Sequence, residues 1–199
     1  MWKRFIDLGT ALLFVVSTGC SSTPRVEPAA QGAPPVEVSR DTAERFQQAL
    51  AAMRAERYSE AEVLFTELTV KEPELSGPWA NLGLVYLRLD RPDAAEAALK
   101  EAVTVNPGNC AALNELGVLA RVRGDFLTAE SSYLACIRAH PDFPEAHLNL
   151  GILYELYLGR FSEALDAYRT FQVLSGAPDE RVEGWMIDLQ RRLVARRES

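Results

Sequence analysis

Glycine returns at residues 83, 117 and 151, with 34 residues from each to the next. Leucine keeps that step at 82, 116 and 150, alanine at 61, 95 and 129, and proline at 73, 107 and 141. Four residue types in register at one period describe a stack of like units. Each unit is too small to cover its own apolar surface until a neighbour packs against it.

The stretch "GPWANLGLVYLRLDRP", residues 77 to 92, shows what such a unit demands. Leu82, Leu84, Val85, Tyr86, Leu87 and Leu89 cannot share one face of a helix, so the helix must be covered on several sides. Glycine and alanine at the facing points of two helices let the backbones approach closely, at a helix-propensity cost that packing must offset. Each recurring proline ends a second helix and sets the turn into the next pair. Asp41 with Glu44 and Ser59 with Glu62 have the spacing of capping boxes at helix starts.

This register resembles the tetratricopeptide family, whose repeat pairs two antiparallel helices. The first carries Trp, Leu, Gly and Tyr, and the second carries Ala, an aromatic and Ala before a proline. Residues 76-109 fit best, through Trp79, Leu82, Gly83, Tyr86, Ala95, Ala102 and Pro107, with Leu99 where an aromatic is usual. Residues 110-143 supply Leu116, Gly117, Ala129, Tyr133 and Pro141, with Leu113 and Ala120 replacing Trp and Tyr. Residues 144-178 match through Leu150, Gly151 and Tyr154, then carry one extra residue around "ELYLGR" that puts Ala164 a place late. Residues 42-75 match through Ala49, Tyr58, Ala61, Phe65 and Pro73. The resemblance implies an all-α, right-handed superhelical solenoid of about four repeats. Residues 179-199 place Val182, Trp185, Met186, Leu189 and Leu193 at three- and four-residue steps, an amphipathic helix that either caps the stack or binds a partner.

In this family the second, fifth, ninth, twelfth and thirteenth positions of each repeat line a concave groove. Here that implies Phe46, Leu50, Met53 and Arg54, then Ala80, Leu84, Leu87 and Arg88. The third repeat gives Asn114, Val118, Arg121 and Val122, and the fourth Leu148, Ile152, Glu155 and Leu156. The family's clamp for a terminal carboxylate needs Lys and Asn at the fifth and ninth positions, which carry Phe46 and Leu50, then Ala80 and Leu84. An apolar trough rimmed by Arg54, Arg88 and Arg121 suits an amphipathic or extended segment of a protein partner, laid apolar side down. The alternatives are that the superhelix, the C-terminal helix or a second copy in a homodimer fills it.

The N-terminal end is unlike the rest. Lys3 and Arg4 precede an apolar stretch from Leu8 to Val16, too short for the ~20 residues of a spanning helix, and "STGC" follows. Small residues before Cys20 look like a bacterial lipobox, although Ser17 stands where that family prefers leucine. The resemblance implies a signal peptide over 1-19, cleaved before a lipidated Cys20. Ser21 after the cysteine implies export to the outer membrane, facing the periplasm. An ordinary cleaved signal peptide with an unmodified Cys20 is the alternative. Residues 20-41 are rich in proline and small residues without apolar periodicity and read as an extended tether. In polyproline geometry it reaches roughly 60 Å.

The net charge is −7, and removing Lys3, Arg4 and Asp7 makes it one unit more acidic. Such a surface repels phosphate backbones, which argues against nucleic acid. His140 and His147 have no cysteine at ligand spacing, so no metal is expected, and no cofactor. No phosphate loop, nucleophile elbow or paired carboxylate constellation appears, so the chain reads as non-enzymatic. Cys110 and Cys136 fall at helix ends of one repeat that lie close together, where the periplasm permits either a disulfide or two buried thiols. The expected role is a protein-protein interaction adaptor in envelope assembly, similar to the pilotins of type IV pilus secretins. Two other roles remain open: a scaffold recruiting cell-wall hydrolases or synthases, and an accessory of a TonB-like or outer-membrane protein insertion complex.

Overall fold

The computed structural model describes residues 38–198. Cys20, the 1-19 signal segment and nearly all of the 20-41 tether lie outside the described residues. The described chain is helical throughout: α1 Arg40–Arg54, α2 Tyr58–Lys71, α3 Ser76–Arg88, α4 Pro92–Val105, α5 Cys110–Val122 and α6 Phe126–Ala139. Then come α7 Pro144–Leu153, which runs on into a π-turn at Tyr154–Leu158, α8 Phe161–Leu174 and α9 Glu180–Glu198. Each odd-numbered helix from α1 to α7 packs on the helix that follows it, and α9 packs on α8. The first helices of neighbouring pairs also touch, α3 with α5 and α5 with α7.

The recurring glycines are where the two helices of a pair meet. A Cβ built on Gly83 would stand 2.6 Å from Leu99 Cγ, one on Gly117 2.4 Å from Tyr133 Cε1, and one on Gly151 2.5 Å from Tyr168 Cε1. Ala49 holds the same place in the first pair and is fully buried. Around these contacts Phe65, Leu68, Leu99, Tyr133, Leu153 and Tyr168 are below 2 % exposed. Each such side chain contributes about 1.5–3 kcal/mol, against about 0–1 kcal/mol for an exposed ion pair, so apolar packing holds the stack together.

Each first helix ends in one device. Glu56, Asp90, Gly124 and Gly159 take positive φ, at 58°, 56°, 80° and 63°. The next backbone N–H then reaches back into the helix: Arg57 to the Ala52 carbonyl, Arg91 to Tyr86 and Asp125 to Ala120, each at 2.9 Å. These are closures of the Schellman type. In the fourth pair Arg160 N–H bonds the Tyr154 carbonyl at 2.9 Å, one residue further away. The extra residue of "ELYLGR" is therefore taken up inside the last turn as a π-turn.

The capping boxes expected at Asp41 and Ser59 are not formed. Asp41 lies one residue inside α1, where Lys71 Nζ at 2.6 Å and Arg45 Nε at 3.5 Å hold its carboxylate. Ser59 is the second residue of α2, whose N-cap Arg57 makes no side-chain cap bond. Among the described residues the capping side chains are Asn109, accepting from Ala112 N–H at 3.1 Å, Asp125, accepting from Thr128 N–H at 3.1 Å, and Asp179 before α9, accepting from Arg181 and Val182 N–H at 3.0 and 3.3 Å. Pro92 and Pro144 open α4 and α7, where a missing N–H costs nothing.

Arginines at the starts of second helices tie each pair to the one before. Arg91 pairs with Glu62 and lies 4.5 Å over the Tyr86 ring. Arg160 pairs with Glu130 at 2.6 Å and lies 4.2 Å over the Tyr154 ring. The third pair has Ala120 and Asp125 at those places, and Arg123 makes the contact instead, to Glu96 and Asp93. Cys110, the first residue of α5, and Cys136, in the last turn of α6, form a disulfide with Cα atoms 4.6 Å apart. No helix among the described residues is long and apolar enough to cross a membrane.

Candidate protein-binding trough

A helix turns about 100° per residue, so Asn114, Val118, Arg121 and Val122 occupy one flank of α5, beside the Gly117 face that meets α6. The matching residues of α3 and α7 continue that flank, because the first helices stand side by side. Asn149 Nδ2 donates to Asn114 Oδ1 at 2.9 Å and fixes α7 against α5 there.

The expected lining divides into floor and surface. Leu50, Ala80, Leu84 and Asn114 are buried at 6, 4, 9 and 5 % exposure, so they form a floor that a partner cannot reach. The contacts of α3 with α5 and of α5 with α7 account for this at Ala80, Leu84 and Asn114, and Leu50 lies in the core of the first pair. Phe46 and Met53 are half-buried against the core of the first pair, with the Phe46 ring edge-on to Phe65 at 5.7 Å. Leu87 is half-buried against the Leu99 cluster. Val118, Leu148 and Ile152 are half-buried over the core of the third and fourth pairs. Val122 and Leu156 are open, at 78 and 65 % exposure. Arg54 and Arg88 are exposed, and Arg121 is half-buried. The apolar surface that remains accessible is richest over α5 and α7.

That part of the trough also holds a polar group of residues. Asn114 Nδ2 donates to Glu115 Oε1 at 3.1 Å. Burial pushes the Glu115 carboxyl up, while the Asn114 bond and the charges of Arg88 and Arg121 pull it down. From α8 the Tyr168 hydroxyl donates to Glu155 Oε2 at 2.9 Å, and Arg192 of α9 stands 3.8 Å from Glu155 Oε1. The Glu155 side chain is 8 % exposed. Tyr133, reaching past Gly117 from α6, is fully buried, and burial pushes its hydroxyl up to about 12. Its oxygen and Arg121 Nε are both buried without a hydrogen-bond partner.

The sequence reading placed Arg121 and Glu155 on the lining but did not single out Glu115, Asn149, Tyr168 or Arg192. The available signal was charge reversal: Arg121 and Glu155 occupy one register position in successive repeats, each followed by a tyrosine on the second helix. Trp185 of α9 stacks on the Tyr168 ring at 5.6 Å, so the C-terminal helix closes the fourth repeat where a next first helix would begin.

The tetratricopeptide repeat family matches residues 46–109, 80–135 and 114–179, well over half of the chain. The chain belongs to the tetratricopeptide repeat family. Among solved structures it is similar to pilF of Pseudomonas aeruginosa, at 19% identity and a TM-score of 0.67, over 79% of this chain and 72% of that one. It is also similar to a thermophilic TPR protein of Thermus thermophilus, at 22% identity and a TM-score of 0.62, over 76% and 82% of the two chains. MamA of Desulfovibrio magneticus RS-1 aligns at 15% identity and a TM-score of 0.63, over 77% and 86%. At these identities the likeness is one of fold. Superkiller complex protein 3 of Mus musculus is 29% identical over 108 residues, 53% of this chain, and the chain spans only 7% of that protein. The family's repeats are protein-binding scaffolds, so this is an adaptor fold.

Proposed function

We propose that this protein is a non-enzymatic outer-membrane lipoprotein, anchored through Cys20 and facing the periplasm, that serves as an adaptor in assembling a type IV pilus or its secretin. The observation that carries the reading is the trough: half-buried Val118, Leu148 and Ile152, open Val122 and Leu156, and arginines at 54, 88 and 121. Arg54, Arg88 and Arg121 line the groove, the last two beside the Glu115 carboxylate, and present N–H donors to an acidic edge of a partner. The occupant is an amphipathic segment of a secretin-type envelope protein, its apolar side on α5 and α7 and its acidic edge toward the arginines. The lipobox-like "STGC" supports the anchor, and the solenoid shared with pilF supports the pilus assignment over other envelope complexes.

Photo-crosslinking residues at Val122 and Leu156, introduced one at a time in the native bacterium, test this. Crosslinks to a secretin subunit are expected, together with loss of secretin multimers when the gene is deleted. Palmitate labelling and outer-membrane fractionation should both be lost in Cys20→Ala. Intact secretin multimers in the deletion strain overturn the pilus assignment, and crosslinks to a cell-wall hydrolase or synthase put the recruiting-scaffold reading in its place.

A further inference from the structure

Helix α9 stands where the first helix of a next repeat would begin, and it packs on α8 as α3 packs on α2 and α5 on α4. What it lacks is a second helix of its own. At about 100° per residue, Val182 and Leu189 turn toward α8 and are buried, while Glu180, Gly184, Ile187, Arg191 and Val194 form a stripe on the opposite side. Ile187 and Val194 are exposed on that stripe, at 44 and 54 %.

Gly184 marks the stripe as a meeting point. Glycine inside a helix costs about 0.5–1 kcal/mol relative to alanine. At Gly83, Gly117 and Gly151 the neighbouring helix explains that cost, because a Cβ would collide with Leu99, Tyr133 or Tyr168. At Gly184 a Cβ would meet nothing within 4 Å, so among the described residues nothing in the chain itself uses the room. The charges on this side of α9 also lack partners. Among the described residues Glu180, Glu183 and Arg191 make no ion pair, whereas Asp179 pairs with Arg181 and Asp188 with Arg192.

We propose that α9 pairs with α9 of a second copy, antiparallel and crossing at Gly184, so that each helix supplies the second helix the other lacks. The two helices of a repeat run antiparallel, and charge selects the same direction here. Gly184 and Ile187 are centred on the same point of α9 as Glu180 and Arg191. When Ile187 of one copy sits over Gly184 of the other, Glu180 therefore falls opposite Arg191, and the two-fold axis makes each contact twice. A parallel pair would set Glu180 against Glu180 and Arg191 against Arg191. One helix crossing belongs with the small interfaces, below ~1,200 Å², so the pair is reversible in dilute solution. Copies anchored on one membrane meet at a raised local concentration. The contact itself needs neither the trough nor a pilus partner.

A photo-crosslinking residue at Ile187 of the full chain, in the native bacterium, tests this. The expected product is a dimer of twice the chain's mass. Glu180→Arg and Arg191→Glu should each cut its yield about fivefold or more, and the two together in one chain should restore it to within about twofold, because the swapped charges still face each other. Gly184→Gln should also cut the yield, by closing the room for Ile187, while leaving the urea midpoint of the chain no lower. Val122→Asp with Leu156→Asp should leave the dimer unchanged; its loss there would put the pairing in the trough and overturn the α9 contact. Crosslinks to another protein alone, a dimer indifferent to either charge reversal, or a double swap that fails to restore it overturns the pairing as well. Absence of any dimer also overturns it and leaves the trough reading as it stands.

Discussion

Replacing Gly117 by alanine tests whether the 34-residue period exists to bring helices together. The added Cβ would meet Tyr133 at 2.4 Å from Cε1, 2.8 Å from Cδ1 and 2.9 Å from Cζ, where ordinary contact begins near 3.4 Å. The ring must retreat by about 1 Å, yet it is rigid, fully buried and packed among Ala120, Ala129 and Leu150. Alanine gains about 1 kcal/mol of helix propensity over glycine, and overpacking of this kind costs about 1–3 kcal/mol. With three ring atoms inside 3 Å the upper end applies, for a net loss of about 2 kcal/mol. Gly83→Ala meets Leu99 at Cγ and Cδ2, 2.6 and 2.7 Å away, and the Ala95 carbonyl at 3.3 Å. A leucine can turn about its side-chain bonds where a tyrosine ring cannot bend, so the loss should be somewhat smaller than for Gly117→Ala, about 1–2 kcal/mol. Gly184 in α9 has nothing within 4 Å, so Gly184→Ala should gain about 0.5–1 kcal/mol. Urea unfolding followed by circular dichroism at constant slope reads all three. A Gly117→Ala protein as stable as the parent, or a Gly83→Ala protein less stable than the Gly117→Ala protein, refutes the reasoning.

Two further outcomes follow from the same body. The Cys110–Cys136 disulfide closes a separation of 26 residues, so Cys110→Ser should lower stability by about 3–4 kcal/mol on the chain-entropy account. Intact mass of the unfolded oxidised protein should rise by two hydrogens on reduction, and no rise would refute the bond. Glu115 has its carboxyl pushed up by burial, so the folded state holds that proton more tightly than the unfolded chain. Its contribution is therefore most favourable below the ordinary value of 4.5 and is lost as pH rises through the raised value. Glu115→Gln should match the parent in acid and exceed it in unfolding midpoint at neutral pH; a midpoint below the parent's at neutral pH would mean that the arginines outweigh burial.

The repeat was legible because its signal residues are its tightest contacts: no other side chain fits at Gly117 or Gly151 while Tyr133 and Tyr168 stand where they do. Cap positions were not legible. The spacing of Asp41 to Glu44 and Ser59 to Glu62 is also the spacing of neighbours within a helix, and the true N-caps at Arg57, Arg91 and Arg160 carry no capping side chain. The extra residue near "ELYLGR" was visible in the register, but its absorption as a π-turn depends on how the turn closes. Proximity of the two cysteines followed from helix direction, whereas two thiols and a bond read alike in sequence. Floor and surface of the trough were also indistinguishable, since Leu84 and Val118 share one register position and yet Leu84 is buried while Val118 is half-buried.

The π-turn at Tyr154–Leu158 works as a spacer that resets the count. Because Arg160 still closes on Tyr154, α8 begins in the same phase as α2, α4 and α6, and the surplus residue is not passed on to α8 or α9. The surplus emerges sideways as Leu156 and Tyr157, 65 and 46 % exposed, with Tyr157 resting on Phe126 of the preceding repeat at 4.9 Å. A change in chain length that would throw a single-core domain out of register is here confined to one helix end, and it is converted into new apolar relief at the edge of the trough.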